Sequence, residues 1–160
     1  MDKSVTHTAL HDLLCFNIYT LNRSFGRYYQ AAFSETGLTY PKFVILMALE
    51  ARGPMSVSDL SGQVGVEANT LSPLLKKMAE FGAITRARAE TDERRVDVAI
   101  TPMGQEILAR ASEIIAEGFD ALQIDRERMS EALHFLNDAR SKVEAADPPK
   151  LSFDGLKDVP

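Results

Sequence analysis

Apolar side chains recur at helical spacing through residues 8–33, where the pattern predicts one long first helix. The positions that carry this pattern are Leu10, Leu13, Leu14, Ile18, Leu21 and Phe25. Pro41 suits the first turn of a second helix, because a helix needs no N–H donor there, and Gly53 suits its end. The first quarter of the chain is therefore predicted to be two helices.

Two shorter helices with a tight turn between them are predicted in the next segment. Ser56 can cap the first, with Asp59 three positions on as in a capping box, and Gly65 can end it. The second is predicted over residues 68–81, and Pro73 is tolerable if it falls within the first turn. A pair of this kind is typical of a helix-turn-helix.

The period changes from helical to alternating after Gly82. The segments "AITRARA" and "RVDVAIT" alternate apolar and polar residues, and the polar run "ETDER" separates them. This pattern predicts two strands and a turn. The expected fold class is mainly α with a small antiparallel β-hairpin, that is, a winged helix-turn-helix.

Two more helices are predicted after the hairpin. Thr101 is a suitable N-cap with Pro102 at the first helical position, and the last helix covers about 128–145. Its apolar positions are expected to face inward: Met129, Leu133, Leu136 and Val143.

These elements divide the chain into three parts. Residues 39–101 form the winged domain, 1–38 and 102–146 form a helical dimerisation region, and 147–160 form a loosely ordered tail. The long terminal helices have no core of their own, and a two-fold dimer would bury them. Such a dimer would also present two recognition helices to the half-sites of a palindrome.

Composition narrows the class of protein. The chain has 160 residues, of which 45% are hydrophobic and 26% charged, as in a globular protein of one domain with appended helices. No apolar run reaches the ~20 residues of a membrane span, and we find no secretory signal. The single cysteine excludes an internal disulfide and a cysteine-based structural zinc site. A cytoplasmic protein with no cofactor, no metal and no membrane partner is expected.

Charge is distributed unevenly along the chain. The net charge is −5, yet residues 68–95 carry six basic and four acidic side chains, a net charge of +2. Residues 96–160 carry seven basic and thirteen acidic side chains. This asymmetry indicates an anionic partner near the middle of the chain.

Several segments resemble a known family. "LTYPKFVILMALE", the helix "TLSPLLKKM", the wing tip "DER" and the exit "ITPMG" resemble the MarR family of winged-helix repressors. "LLCFNIY", with Tyr29 and "LTYP" downstream, is similar to its organic-hydroperoxide-sensing branch, the OhrR-type repressors. The resemblance implies that Cys15 is oxidised by peroxide, that Tyr19, Tyr29 and Tyr40 surround it, and that oxidation releases DNA.

A recognition helix reads the major groove of double-stranded DNA through its N-terminal residues, while nearby cations contact phosphates. In the wing, Arg94 resembles the minor-groove arginine of the family, and Asp92 would orient it. The predicted DNA-binding residues are Asn69, Thr70, Ser72, Lys76, Lys77, Arg86, Asp92 and Arg94.

Helix geometry constrains the tyrosines around Cys15. Tyr19, at i+4, lies on the same face one turn away. Tyr29 faces the same way but is fourteen residues on, ~21 Å along a straight helix. Tyr29 can therefore reach only the Cys15 of a partner whose first helix packs antiparallel. Because the resemblance places Tyr40 around the same thiol, we expect Tyr40 to come from that partner as well. Hydrogen bonds from tyrosine hydroxyls would stabilise the thiolate.

The apolar side chains around Cys15 favour an apolar oxidant. Oxidation of Cys15 would give a sulfenic acid. Because the chain has no second cysteine, that sulfenic acid would react with a low-molecular-weight thiol or be overoxidised. Two other functions remain open. A regulator of the same fold could bind an aromatic acid without redox chemistry. A thiol peroxidase is disfavoured, because the chain has no resolving cysteine and the basic hairpin would have no role. We therefore predict a non-enzymatic homodimeric repressor.

Overall fold

The computed structural model describes residues 9–89 and 92–148, and it describes their side chains except those of residues 89, 92–94 and 126. The chain forms two compact units. The first unit ends at Gly118 and the second begins at Phe119.

The first helix is shorter than its apolar pattern predicts. A short 3-10 helix at Leu10–Asp12 comes first, and α1 then spans Leu14–Ala32. Leu13 between them is extended, which interrupts the helix. The Asn17 side chain donates to the carbonyl of Leu13 at 2.9 Å and to that of His11 at 2.7 Å, so it ties the two pieces together.

The second helix, α2, has the predicted limits. It spans Tyr40–Arg52 with Pro41 in its first turn and ends at Gly53, whose φ of 78° favours glycine. It supplies much of the core of the first unit, because its buried side chains are Phe43, Ile45, Leu46, Ala48 and Leu49.

The first helix of the helix-turn-helix, α3, spans Val57–Val64. The Ser56 hydroxyl accepts the N–H of Asp59 at 3.1 Å and donates to its carboxylate at 2.7 Å. Gly65 ends the helix in the left-handed conformation. The predicted cap and turn are confirmed.

The recognition helix, α4, spans Ala68–Glu80. Pro73 is its sixth residue, so the expectation of a first-turn proline is wrong. The proline removes the N–H that would bond the carbonyl of Asn69. Asn69 is exposed, so water can satisfy that carbonyl, and the buried Leu71 and Leu75 hold the helix in place.

The wing belongs to a three-stranded antiparallel sheet. The strands are β1 at Met55–Ser56, β2 at Ile84–Ala89 and β3 at Asp92–Ile100, in the order β1-β3-β2. The expected two-stranded hairpin is β2 and β3. The sequence did not reveal β1, because two residues beside a helix cap show no alternation.

Helix α5 spans Pro102–Ala121, and Thr101 caps it as predicted. The Thr101 hydroxyl accepts the N–H of Gly104 and donates to the carbonyl of Gly82 at 2.6 Å. A methyl group on Gly104 would collide with the carbonyl of Ala83. Helix α5 therefore begins in close contact with the end of the helix-turn-helix.

The second unit contains α6, which spans Arg126–Ala145, and the Asp125 carboxylate caps it by accepting the N–H of Arg128. The apolar positions expected to face inward are exposed in the single chain: Met129, Leu133, Leu136 and Val143.

Most of the predicted tail, from residue 149 onward, lies outside the described residues, as do residues 1–8. Within the part of the chain that the structure describes, none of the helices combines the length and apolar character that crossing a membrane requires.

Candidate nucleic-acid interface and thiol site

The recognition helix has a buried side and a polar side. Leu71 and Leu75 are fully buried against the rest of the first unit. Asn69 and Thr70, in the first turn, are exposed, and Ser72 is half-buried. The polar side therefore presents the side chains that the sequence predicted to meet base edges.

The two lysines of α4 lie in different surroundings. Lys76 is exposed and lies 3.9 Å from Glu80 one turn later, a solvated pair that holds the lysine only weakly. Lys77 is exposed as well, but it lines the apolar cavity described below. The structure therefore does not bring the two predicted phosphate contacts together.

A polar pocket of about 410 Å³ lies between the start of α3, the recognition helix and the sheet. Its polar side chains are Ser56, Ser58, Ser72, Arg86 and Arg95. Two guanidinium groups and the hydroxyls of Ser58 and Ser72 beside a helix N-terminus form a surface suited to phosphate oxygens, while the Ser56 hydroxyl is already bonded to Asp59. Arg86 and Ser72, which the sequence predicted as DNA-binding residues on different elements, both line this pocket.

Two residues of this pocket, Ser58 and Arg95, were not among the predicted DNA-binding residues. Arg95 bonds Asp97 through its Nε at 2.8 Å, which fixes the direction of its guanidinium. The basic content of the hairpin was the only sequence signal for Arg95. The side chains of Asp92 and Arg94 lie outside the described residues, so their predicted roles stay predictions.

Cys15 is the second residue of α1, and its side chain is exposed. Its neighbours Leu14 and Ile18 are 48% and 42% exposed, although both are large and apolar. The thiol therefore lies on an apolar helix face that the described residues, 9–89 and 92–148, leave uncovered.

Tyr19 lies one turn after Cys15 and is exposed. The guanidinium of Arg23 donates to its hydroxyl at 3.0 Å and lies 5.6 Å from the centre of its ring. A hydroxyl that accepts from arginine still has its own proton to donate. Tyr19 can therefore donate a hydrogen bond on the face that carries Cys15.

Tyr29 and Tyr40 form a pair at the other end of α1. Their ring centroids are 4.4 Å apart, and Tyr29 is only 9% exposed, whereas Tyr40 is 45% exposed. Phe33 and Phe43 pack around Tyr29 with centroids 5.9 and 6.4 Å away. The fold thus brings together two of the three tyrosines that the resemblance assigns to the thiol.

The environment of Tyr29 favours its neutral form. Burial is the main cause that raises its pKa above the ordinary 10.0, and the neighbouring Tyr40 and Tyr28 raise it further. The hydroxyl therefore keeps its proton at neutral pH, as a hydrogen-bond donor must.

An apolar cavity of about 500 Å³ lies among the connection between α1 and α2, α2 itself, the end of α4, and α5. Phe33, Leu46 and Ile114 are among its apolar lining residues. Three basic residues also line it, namely Lys42, Lys77 and Arg110. Such a site suits a small apolar molecule that carries a negative charge.

Metal-ligating side chains are dispersed in the described residues, 9–89 and 92–148. No group of three or more histidine, cysteine, aspartate or glutamate side chains there could hold an ion. His7, which the sequence places one turn before His11, lies outside them.

The helix-turn-helix with a basic wing defines the class of protein, and comparisons define the family. The MarR family pattern matches residues 38–96. The organic hydroperoxide resistance transcriptional regulator of Bacillus subtilis (strain 168) is 32% identical over 114 residues, which are 71% of this chain and 78% of that protein. The regulator SarZ of Staphylococcus aureus (strain USA300), described as HTH-type, is 30% identical over 138 residues, 86% of this chain and 93% of that protein.

Solved structures agree with this assignment. The transcriptional regulator BldR from Sulfolobus solfataricus superposes with a TM-score of 0.73 at 27% identity, over 81% of this chain and 93% of that one. The chain belongs to the MarR family and is a DNA-binding transcriptional regulator with a winged helix-turn-helix. Its relatives are regulators and not enzymes, which removes the thiol peroxidase from consideration.

Proposed function

We propose that this protein is a homodimeric cytoplasmic repressor that binds a palindromic operator and releases it when an organic hydroperoxide oxidises Cys15. The observation that carries the redox part is the arrangement of α1. Its N-terminal end exposes Cys15 on an apolar face, and its C-terminal end packs Tyr29 against Tyr40.

DNA binding uses the polar side of α4 and the wing. The first turn of α4 enters the major groove, and the polar pocket between α3 and the sheet holds a backbone phosphate. Arg94, oriented by Asp92, enters the minor groove. The side chains proposed for these contacts are Asn69, Thr70, Ser72, Lys76, Arg86, Asp92 and Arg94, to which the pocket adds Ser58 and Arg95. Lys77, predicted with them from the sequence, is not proposed as a phosphate contact because it lines the apolar cavity.

Dimerisation is supported by the apolar surfaces that remain exposed within the described part of the chain. Leu14 and Ile18 on α1, and Leu133 and Leu136 on α6, are exposed at helical spacing. Helices that expose such faces bury them against another copy in two-fold symmetric dimers. The dimer sets the distance between the two recognition helices, and hence between the operator half-sites.

The sensor pocket forms across the dimer interface. Tyr29 is about 21 Å along the axis from Cys15 of its own helix, at 1.5 Å per residue, so it cannot contact that thiol. Two antiparallel α1 helices bring Cys15 of one subunit to the Tyr29–Tyr40 pair of the other. Tyr19 completes the pocket from the subunit that carries Cys15.

The reaction consumes one hydroperoxide. The Cys15 thiolate attacks the outer oxygen of ROOH, an S–O bond forms as the O–O bond breaks, and the hydroxyl passes to sulfur. The departing alkoxide takes a proton from a tyrosine hydroxyl or water and leaves as ROH, so the peroxide is reduced and the thiolate becomes a sulfenic acid.

A low-molecular-weight thiol then condenses with the sulfenic acid, releasing water and forming a mixed disulfide. In its absence, further hydroperoxide gives the sulfinic acid. Either product adds polar bulk to a packed helix interface. The two recognition helices then lose the spacing that the half-sites require.

The deciding experiment measures binding to the regulator's own promoter region by fluorescence anisotropy. Cumene hydroperoxide is added to the wild type and to Cys15→Ser. We expect the wild type to lose at least about tenfold in affinity, or ~1.4 kcal/mol, and Cys15→Ser to bind equally well with and without peroxide. A Cys15→Ser variant that still releases DNA would exclude the thiol as the sensor.

A second candidate function rests on the apolar cavity with its three cations. In this alternative, an aromatic carboxylate enters the cavity, pairs with Lys42, Lys77 or Arg110, and shifts the recognition helix through Lys77. Titration with benzoate and its hydroxylated derivatives tests it. Release of DNA by such an acid, retained in Cys15→Ser and lost in Arg110→Ala, would establish this function.

A further inference from the structure

Gly118 lies in the last part of α5, where one side chain of α1 contacts it. A β-carbon built on Gly118 would collide with the hydroxyl of Tyr28 and would lie 3.0 Å from the ring carbon that carries this hydroxyl. Glycine weakens a helix relative to alanine, and the φ of Gly118 is not in the left-handed region that favours glycine. The missing side chain at Gly118 therefore lets the hydroxyl of Tyr28 approach the backbone of α5.

Tyr28 also contacts the tyrosine pair described above. Its ring meets the ring of Tyr29 edge to face, with centroids 5.9 Å apart and planes at 84°. Successive residues of a helix point about 100° apart, so Tyr29 packs toward Tyr40 of α2 while Tyr28 points to α5. Tyr28 therefore joins the Tyr29–Tyr40 pair to α5.

The start of α5 is held against the end of the recognition helix. Gly104 is buried, and a β-carbon built on it would collide with the carbonyl of Ala83. The N–H of Ala83 donates to the carbonyl of Met78, in the last turn of α4, at 3.0 Å. The Thr101 hydroxyl donates to the carbonyl of Gly82 at 2.6 Å. A displacement of the start of α5 must therefore move the end of α4 or break these contacts.

Helix α5 connects these two contacts along one face. Gly104, Leu108, Ala111 and Gly118 follow one another at spacings of four, three and seven residues, which places them on one side of the helix. The two glycines are fourteen residues apart, or ~21 Å along the axis at 1.5 Å per residue. A continuous helix is a rigid element that can transmit a displacement over this length.

We propose that Tyr28 is a positioning residue through which the tyrosine pair controls the recognition helix, by way of its contact with Gly118. This inference rests on the proposed release of DNA and names the side chain that transmits it. While Cys15 is reduced, the pair holds Tyr28, and thereby α5, in the arrangement that fits the operator. Oxidation of Cys15 displaces Tyr29 in the proposed sensor pocket, Tyr28 moves with it, and α5 carries the shift to the end of α4.

The first test removes the hydroxyl and leaves the ring. For Tyr28→Phe and the wild type, stopped flow measures thiol oxidation by cumene hydroperoxide, and anisotropy measures affinity for promoter DNA before and after oxidation. We expect the oxidation rate and the affinity of the reduced protein to stay within about twofold of the wild type. The ratio of reduced to oxidised affinity should fall from at least about tenfold to less than about threefold, because the coupling between the two sites is lost. A loss of packing alone would change the first two quantities and leave this ratio as it is.

The second test changes the contact from the side of α5. Gly118→Ala places a methyl group where the hydroxyl lies, so we expect the reduced protein to bind promoter DNA at least about fivefold more weakly. In the double variant with Tyr28→Phe, the methyl group occupies the space that the hydroxyl leaves, and we expect the affinity to return to within about twofold of the wild type. The matched control is Gly62→Ala in α3, another helical glycine, whose added β-carbon meets no heavy atom within 4 Å. It should leave the affinity unchanged.

The outcomes separate this coupling from the proposed function. If Tyr28→Phe releases DNA on oxidation as the wild type does, Tyr28 does not transmit the signal, while peroxide sensing by Cys15 stands. Because Tyr28→Phe adds no atoms to a packed site, this result decides the proposal even where Gly118→Ala does not fold. If the double variant binds DNA as weakly as Gly118→Ala does, the contact does not control the recognition helix. If wild-type DNA binding ignores hydroperoxide, the sensing proposal fails, and recovery of the reduced affinity in the double variant would still establish the coupling.

Discussion

The helix-turn-helix with its wing and the N-terminal half of α1 are both rich in apolar side chains, but they use them differently. In the former, Leu60, Leu71, Leu75 and Val98 are almost completely buried within one chain. In the latter, Leu14 and Ile18 remain exposed beside Cys15. Both regions have a clear hydrophobic periodicity. Periodicity therefore does not distinguish a side chain that packs within its own subunit from one that packs against another subunit.

The difference separates two tasks. A recognition surface must keep its shape before it meets DNA, and a closed core provides this. A sensor that depends on a helix interface must be able to change that interface. Apolar side chains that pack only against a partner subunit make such a change possible, because their packing depends on the oxidation state of the thiol between them.

The largest effect should come from the closed core. Leu75→Ala removes a fully buried side chain and should lower the free energy of unfolding by about 2–5 kcal/mol. Leu14→Ala should change the unfolding of the isolated chain by less than about 0.5 kcal/mol while weakening the dimer. Urea unfolding and sedimentation, over a range of protein concentrations, measure the two effects. Equal losses of unfolding free energy would mean that the two regions do not differ as described.

A smaller effect should separate the two lysines of the recognition helix. Lys76→Ala should reduce the slope of log affinity for DNA against log salt by about one unit, as expected when one phosphate contact is lost. Lys77→Ala should leave the slope nearly unchanged, because Lys77 lines the cavity. Anisotropy titrations at several salt concentrations measure both slopes. If Lys77→Ala reduces the slope as much as Lys76→Ala does, both lysines contact DNA phosphates.

The smallest effect concerns Tyr29. Its pKa is raised in the folded protein, chiefly by burial, so the folded state holds the proton more tightly than the unfolded state does. The resulting stability is fully present below pH about 10 and is lost as the pH rises through the folded pKa. Urea unfolding at pH 8 and pH 11 should show that the free energy of unfolding falls more between these pH values for the wild type than for Tyr29→Phe. If the free energy of unfolding of Tyr29→Phe falls as much as that of the wild type, another group dominates the alkaline transition.

Much of the fold could be predicted from local sequence. The cap at Ser56, the turn at Gly65, the first-turn Pro41 and the start of α5 at Thr101 all depend on residues within one turn of each other. The interactions of these residues are local, so the order of residues along the chain is enough to predict where each helix begins or ends. Strand β1 was missed because its two residues are specified by pairing with β3 and not by their own pattern.

The candidate sites follow the same rule. The sequence by itself determined that a polar helix turn is followed by a basic hairpin, that one cysteine is present, and that Tyr29 cannot reach it along a straight helix. Only the tertiary structure paired Tyr29 with Tyr40, directed Lys77 toward a cavity and joined Arg86 and Arg95 around one pocket. These relations join residues far apart in the chain or side chains on different sides of one element, and folding alone decides which of them meet.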